Sequence, residues 1–275
     1  MYRKTAAILA LLSAATLAIA ADTPSVHSKL TAAQIVEKNV SARGGLQAWR
    51  AVQTLSMSGK IEAGSKERPK LSPQSRKGAV RPAAQTTAEQ VQLPLLIELK
   101  RTQKSRIEIQ FNGQTAVQVF DGTNGWKLRP FLNRHDVEPF TAEEKKTESQ
   151  MMDLDGPLID YAAKGNKVEL VGAEKVGDRD TYKLQVTARN GSVQHIWVDA
   201  TTYLEVKVEG APRRLDGKMH PVEVYYGDFQ PASGGIVLPH LFETRVEGVK
   251  QPEKMLIESV LVNPKLDDKL FSKPN

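Results

Sequence analysis

Five histidines (His27, His135, His195, His220 and His240) and no cysteine are the first limits on what chemistry this chain can do. Without cysteine there are no disulfides, thiolate-held zinc sites, iron–sulfur clusters or catalytic thiols. The histidines are scattered, and neither H-E-x-x-H nor G-x-S-x-G occurs. The helix-borne metal pair and the nucleophile elbow are therefore missing. No glycine-rich loop opens a helix in the form that dinucleotide binding requires. His195, His220 and His240 would form a metal site only if their strands adjoin. Otherwise they are three unrelated strand or turn histidines. Asp153 and Asp155 make a carboxylate pair, whose alternative role is helix capping around Pro157. Asp267 and Asp268 stand in a polar tail and read as solvated. No catalytic residue, metal ligand or cofactor is expected.

Charge is equally selective. The 275 residues carry 38 Lys and Arg against 32 Asp and Glu, a formal net charge of +6. Residues 1–20, MYRKTAAILALLSAATLAIA, hold a basic start at Arg3 and Lys4, an apolar run from Thr5 to Leu17, and Ala18-Ile19-Ala20 as a small-residue cleavage site. This is the pattern of a secretory signal peptide. An anchor helix is the alternative, but the run is shorter than the ~20 residues a bilayer span needs. The exported chain is expected to be soluble and, in a Gram-negative cell, periplasmic. Its net charge falls to +4 without Arg3 and Lys4. Ser65–Pro82 alone contributes six cations and one acid. The basicity belongs to one segment rather than to a groove, which argues against a nucleic-acid surface.

The elements that must position any site follow from periodicity. Thr31 and Gln34 form a capping box, opening a helix through Ile35, Val36 and Val40 that ends at Gly44-Gly45. A short helix over Leu46–Val52 follows. The period then changes to two at Leu55, Met57, Gly59 and Ile61. Gly64–Gln90 breaks the pattern, being rich in Pro, Ser, Gln and cations, and is expected to be a long mobile loop. It reads either as a solvated insertion or as a contact for anionic headgroups or an acidic partner. Strands return at 95–101, 105–111, 115–120 and 126–128, with Asn112-Gly113 as a type I′ turn. A second capping box, Thr141 and Glu144, begins a helix, and Asp155-Gly156-Pro157 is expected to restart one that stops at Gly165. From 168 to 262 the pattern is a β-meander of seven further strands with turns at Gly177, Asn190-Gly191, Asp216-Gly217 and Gly234-Gly235. Spacing near ten residues predicts antiparallel pairing.

Most strands are apolar on one face only, so the sheet needs a cover on that side. About four short helices are available. A broad curved sheet under a thin helical cover leaves an apolar hollow suited to an acyl chain. The side chains expected to line it are Met57, Ile61, Ile107, Ile109, Phe120, Trp126, Ile159, Tyr161 and Trp197. The alternative for each is ordinary core packing. Met151 and Met152, with Met57, suit an adaptable apolar surface.

Several spaced blocks carry a resemblance: GGLQAWRAVQTLSMSGKIE at 44–62, DGTNGW at 121–126, DLDGPLIDYAAKGNKVELVG at 153–172, WVDATTYLEVKVEG at 197–210, HPVEVYYGDFQPASGGIVLPH at 220–240 and NPKLDDKLF at 263–271. These resemble the outer-membrane lipoprotein-sorting protein family, of LolA/LolB-like fold. The resemblance implies a single domain over 21–275: an antiparallel half-barrel of about eleven strands with helices covering the concave face. It implies a periplasmic carrier that shields lipoprotein acyl chains or another lipid without covalent chemistry. Lacking a lipidated cysteine, the chain resembles a soluble carrier more than an anchored receptor. The second reading is a periplasmic sensor that binds a hydrophobic signal and acts through a protein partner.

Overall fold

A computed structural model describes residues 30–65, 90–151 and 153–274. The expected signal peptide, Met152 and the interior of the expected loop at 64–90 lie outside the described residues. Helix α1 (Ala32–Ala42) begins at the capping box read from sequence. The Gln34 amide donates to Thr31 Oγ1 at 3.3 Å, and the Thr31 amide donates to Gln34 Oε1 at 2.9 Å. Gly44 ends the helix at φ 101°. A Cβ there would stand 2.0 Å from the Gly235 carbonyl oxygen, so only glycine fits. Helix α2 (Leu46–Ala51) follows at once.

Thirteen strands then appear among the described residues, against the about eleven that the resemblance implies, and β6 is the one with no counterpart in the strand pattern read from the sequence. They are β1 (Thr54–Ser65), β2 (Gln90–Lys100), β3 (Lys104–Phe111), β4 (Gln114–Phe120), β5 (Gly125–Arg129) and β6 (Arg134–Pro139). After helix α3 (Ala142–Met151) come β7 (Lys167–Val176), β8 (Arg179–Thr187), β9 (Val193–Asp199), β10 (Glu205–Leu215), β11 (Lys218–Pro231), β12 (Val237–Val246) and β13 (Glu253–Val262). Strand β6 escapes a periodicity reading because RHDVEP holds one large apolar residue, Val137, and lies at a sheet edge, where one side needs no partner. The helix expected after Asp155 is absent. Residues 154–165 form successive turns. Gly156, Asp160 and Gly165 all take positive φ, at 75°, 53° and 76°, which a right-handed helix cannot contain.

The strands form one antiparallel sheet in the order β6-β5-β4-β3-β2-β1-β13-β12-β11-β10-β9-β8-β7. The order leaves it open, with β6 and β7 as edges: a half-barrel. Those edges are consecutive in the chain, so residues 140–166 must cross from one side of the sheet to the other. The inner face carries two cores. One joins Trp49 and Val52 of the α2 region to Leu55, Met57, Leu95, Ile97, Leu99, Leu238 and Ile257. The other joins Ile35 and Val36 of α1 to Tyr182, Leu184, Val186, Ile196 and Val198. The fully buried aliphatic side chains are each worth about 1.5–3 kcal/mol of stability.

The outer face is not uniformly wet. The tail after β13 folds back over β4 and β5, and Phe271 packs on Val117 and Val119 beside Trp126. Asp267 caps the short 3-10 turn Asp268–Phe271, and Asp268 bridges Lys100 and Lys104. Neither aspartate is simply solvated. A second outer cluster holds Val176, Trp197 and Val206.

Candidate functional site

Alternation along the strands dictates which side chains share the inner face. Across the sheet, opposed residues form rows: Ser105–Leu99–Leu55–Val262, then Ile107–Ile97–Met57–Val260, then Ile109–Leu95–Gly59–Ile257. Helices α1 and α2 press on this floor and are tied to it by polar contacts. Arg43 reaches across to Glu205 of β10 at 3.0 Å, with both side chains nearly inaccessible. The Trp49 indole N–H donates to the Arg43 carbonyl oxygen at 2.8 Å, and the Arg43 guanidinium lies 4.6 Å over its ring. Asn39 donates to the Tyr203 carbonyl at 2.8 Å. Burial and the nearby Glu205 carboxylate push the Tyr226 phenol up to about 12.

The crossing segment supplies the rest of the cover. Leu154 and Ile159 enter the core around α2, while Leu158 enters the core around α1. One short stretch thereby spans both. It is held by a clasp of charges. Arg101, at the end of β2, donates to Asp155 at 2.6 Å and to the carbonyls of Trp49 and Val52. Lys164 donates to Asp153 at 2.6 Å, to Asp155, and to the Gly156 carbonyl at 2.6 Å. Arg50 grips Asp160 through two bonds of 2.8 and 2.9 Å. Burial pushes the Asp153 carboxyl up, and Lys164 only partly offsets it. Burial acts the same way on Asp155, but Lys164 and Arg101 together outweigh it and hold that carboxyl below its ordinary range. Helix α3 is attached further along, where the Ser105 hydroxyl donates to Glu148 at 2.6 Å and Lys127 pairs with Glu144. Burial raises the Glu148 carboxyl.

Between this crossing segment and the lower halves of β8–β11 lies a groove of about 1180 Å3. That exceeds the ~300–1,000 Å3 usual for small-molecule sites. Val186, Val193, Pro212 and Val222 give it apolar walls, and Lys164, Arg189, Glu209 and Glu223 add charge. Its lining is mixed rather than wholly greasy.

The structure sorts the nine expected lining residues. Met57, Ile107 and Ile109 share the inner floor, with Met57 buried and the two isoleucines packed against the same core. Ile61 lies further along β1, opposite Leu93 and Met255 and half-buried. Phe120 is buried opposite Ser105. Ile159 is fully buried, and Tyr161 packs on the α1 core. Trp126 and Trp197 fall on the outer face. Trp126 is opposed to Val119 beneath the C-terminal tail. Trp197 is sandwiched by Lys183 at 4.8 Å and Lys207 at 3.9 Å, and its indole donates to Glu174.

The histidine reading resolves into separate places. His195 contacts Glu209 at 2.7 Å, His220 lies beside Gly248, and His240 is buried on β12. Among the described residues, no cluster of three His, Asp or Glu side chains is placed to hold a metal. Nor is any described helix long and apolar enough to cross a membrane. Sequence reasoning missed the clasp. Asp153 and Asp155 were visible as a pair, but their partners Arg101 and Lys164 are identified only by the topology.

No protein-family model matches the sequence, and no curated protein is close enough in sequence to count as a relative. Similarity to solved structures is extensive in shape. A LolA superfamily protein from Nitrosomonas europaea aligns over 89% of this chain and 98% of its own, with a TM-score of 0.54 at 15% identity. A domain assigned to outer-membrane lipoprotein sorting from Vibrio parahaemolyticus aligns over 88% and 96%, with a TM-score of 0.53 at 12% identity. A DUF1329 family protein from Desulfovibrio piger aligns over 86% and 95%, also at a TM-score of 0.53 and 12% identity. The chain therefore has the fold of the LolA superfamily, a half-barrel with a helical cover.

Proposed function

We propose that this protein is an exported carrier that shelters the acyl chains of lipoproteins or another lipid in its half-barrel and hands them on. The observation that carries the reading is an open sheet whose apolar inner face is covered by a crossing segment beside a groove of about 1180 Å3. Its likeness in fold to a lipoprotein-sorting domain supports the same reading. Each buried methylene is worth about 0.8 kcal/mol, so a chain of ~14 carbons is held without any specific polar contact.

The mechanism is sequestration. Residues 154–165 and α3 act as the cover, Ile107 and Ile109 as floor, and the Arg101–Asp155–Lys164 clasp as the tether that sets how easily the cover lifts. The signal peptide at 1–20 delivers the chain to the periplasm, and the basic segment 65–82 contacts anionic headgroups or an acidic partner. Organic extraction of the purified protein followed by mass spectrometry tests the reading. Stoichiometric acyl lipid, transferable to acceptor vesicles, is the expected result. Protein that yields no lipid and takes up none from vesicles refutes it, and lipid that is bound but never transferred points to a sensor.

A further inference from the structure

We propose that one end of the half-barrel, formed by the β8–β9, β10–β11 and β12–β13 turns, is a docking surface for anionic membranes. In an antiparallel sheet alternate turns share an end, so these three lie together. The middle one projects. The pairs Arg213–His220, Arg214–Met219 and Leu215–Lys218 continue past Val222–Val246, the last pair with β12. Three residues at ~3.3 Å each carry the tip about 10 Å outward.

The composition of this end is distinctive. Five large apolar side chains stand out as exposed among the described residues, and three of them are here. Val193 opens β9 at 54% exposure, Met219 is at the projecting tip at 43%, and Val249 lies in the β12–β13 turn at 47%. Around them residues 188–192, 211–220 and 247–254 hold six cations against three carboxylates. Arg189, Arg214, Lys218 and Lys250 are all exposed. Arg213 is the cation engaged most firmly, through both oxygens of Glu253.

Single apolar side chains on three separate tips do not make the contiguous apolar centre of a protein–protein interface. They do suit the headgroup zone of a bilayer, where each enters alone and the flanking cations meet anionic lipid. One further observation agrees. Val193 and Met219 also line the groove, so docking brings its mouth to the membrane. The surface stands on its own residues, and the carrier reading is tested separately by lipid extraction.

The test is flotation of the protein, as recovered from an export host, with vesicles of phosphatidylglycerol and phosphatidylcholine in equal parts at low ionic strength. Each cation removed is expected to lower partitioning about fivefold, so Arg214→Glu with Lys218→Glu gives a loss of more than tenfold. Met219→Ser gives a several-fold loss at unchanged charge. Arg179→Glu, exposed at the start of β8 beside the β7–β8 turn at the opposite end, leaves binding unchanged. Thermal melts confirm that the variants fold. The proposal is overturned by absence of wild-type binding, by equal binding to pure phosphatidylcholine, or by equal losses from both ends. It is also overturned if the tip variants lose an acidic protein partner while vesicle binding persists.

Discussion

Lys164→Met isolates the clasp. The substitution keeps most of the apolar stem and removes the ammonium that Asp153 and Asp155 share. Stripping one member from a fully buried ion pair costs about 3–5 kcal/mol. Here Asp155 is 3% exposed but keeps Arg101, and Lys164 itself is 21% exposed, so about 1–3 kcal/mol is the reasoned loss. For a chain of this size that lowers Tm by roughly 2–6 °C. The pH dependence carries the diagnostic sign. Asp155 is held below its ordinary range when folded, so it contributes stability above its unfolded value and loses it as pH falls through the folded one. Asp153 is raised; it opposes folding above its folded value, and that cost vanishes once it is protonated. Removing Lys164 pushes both carboxyls upward. The deficit of Lys164→Met relative to wild type must therefore be largest at neutral pH and shrink as both carboxyls protonate in the acid range. Urea unfolding of both proteins across that range measures it. A deficit independent of pH, or one equally large in Lys164→Arg, refutes the electrostatic account and leaves only packing.

Two further outcomes separate the faces of the sheet. Ile107→Asp places a charge on the inner floor beside Ile97, whereas Glu108→Lys changes an outer-face residue paired with Arg106; lipid recovered per protein is expected to fall severalfold in the first and hold in the second, and equal losses contradict a one-sided cavity. Phe271→Ala removes a side chain 1% exposed under the C-terminal tail and is expected to cost about 3 kcal/mol in denaturant unfolding while leaving lipid capacity intact, so a loss of capacity without a loss of stability counts against its placement outside the site.

Local signals carried much of this architecture. The capping boxes at Thr31 and Thr141 and the turn at Asn112-Gly113 are chemically complete within a few residues, and each forms where expected. The inner placement of Ile107 and Ile109 follows from period-two alternation. Trp126 and Trp197 show where that logic stops. Alternation tells which residues share a face, but not which face is inward, and an aromatic on the outer wall can be buried by lysine stems or by a distant tail. Lys183 and Lys207 hide Trp197, and Phe271 covers the strands around Trp126. The same limit hides the clasp. Arg101, Asp155 and Lys164 are ordinary polar residues until the sheet order brings the end of β2 against the crossing segment. Residues 154–165 have a helical pattern of apolar side chains, yet Asp160, whose carboxylate pairs with Arg50, stands in the left-handed region that aspartate tolerates and a helix does not.

The topology also predicts which lipids can enter. Because β6 and β7 are edges and also consecutive strands, the cover cannot leave as a separate body. It can only peel back from its two cores. Lifting it exposes Leu158 and Ile159, now 1% and 0% accessible, at about 1.5–3 kcal/mol each, or roughly 3–6 kcal/mol together. Spontaneous opening is then rare. An acyl chain that refills the space recovers about 0.8 kcal/mol per methylene. Some 4–8 carbons only offset the lifted side chains, and further carbons add net affinity. Binding of saturated fatty acids of increasing length, measured by calorimetry, is therefore expected to be negligible for the shortest chains and to rise steeply beyond that threshold. Lys164→Met, with a looser tether, is expected to move the threshold to shorter chains. Affinity that rises evenly from the first carbons would mean that the acyl chain lies in the groove already open beside the cover and displaces nothing, which removes the crossing segment from the mechanism.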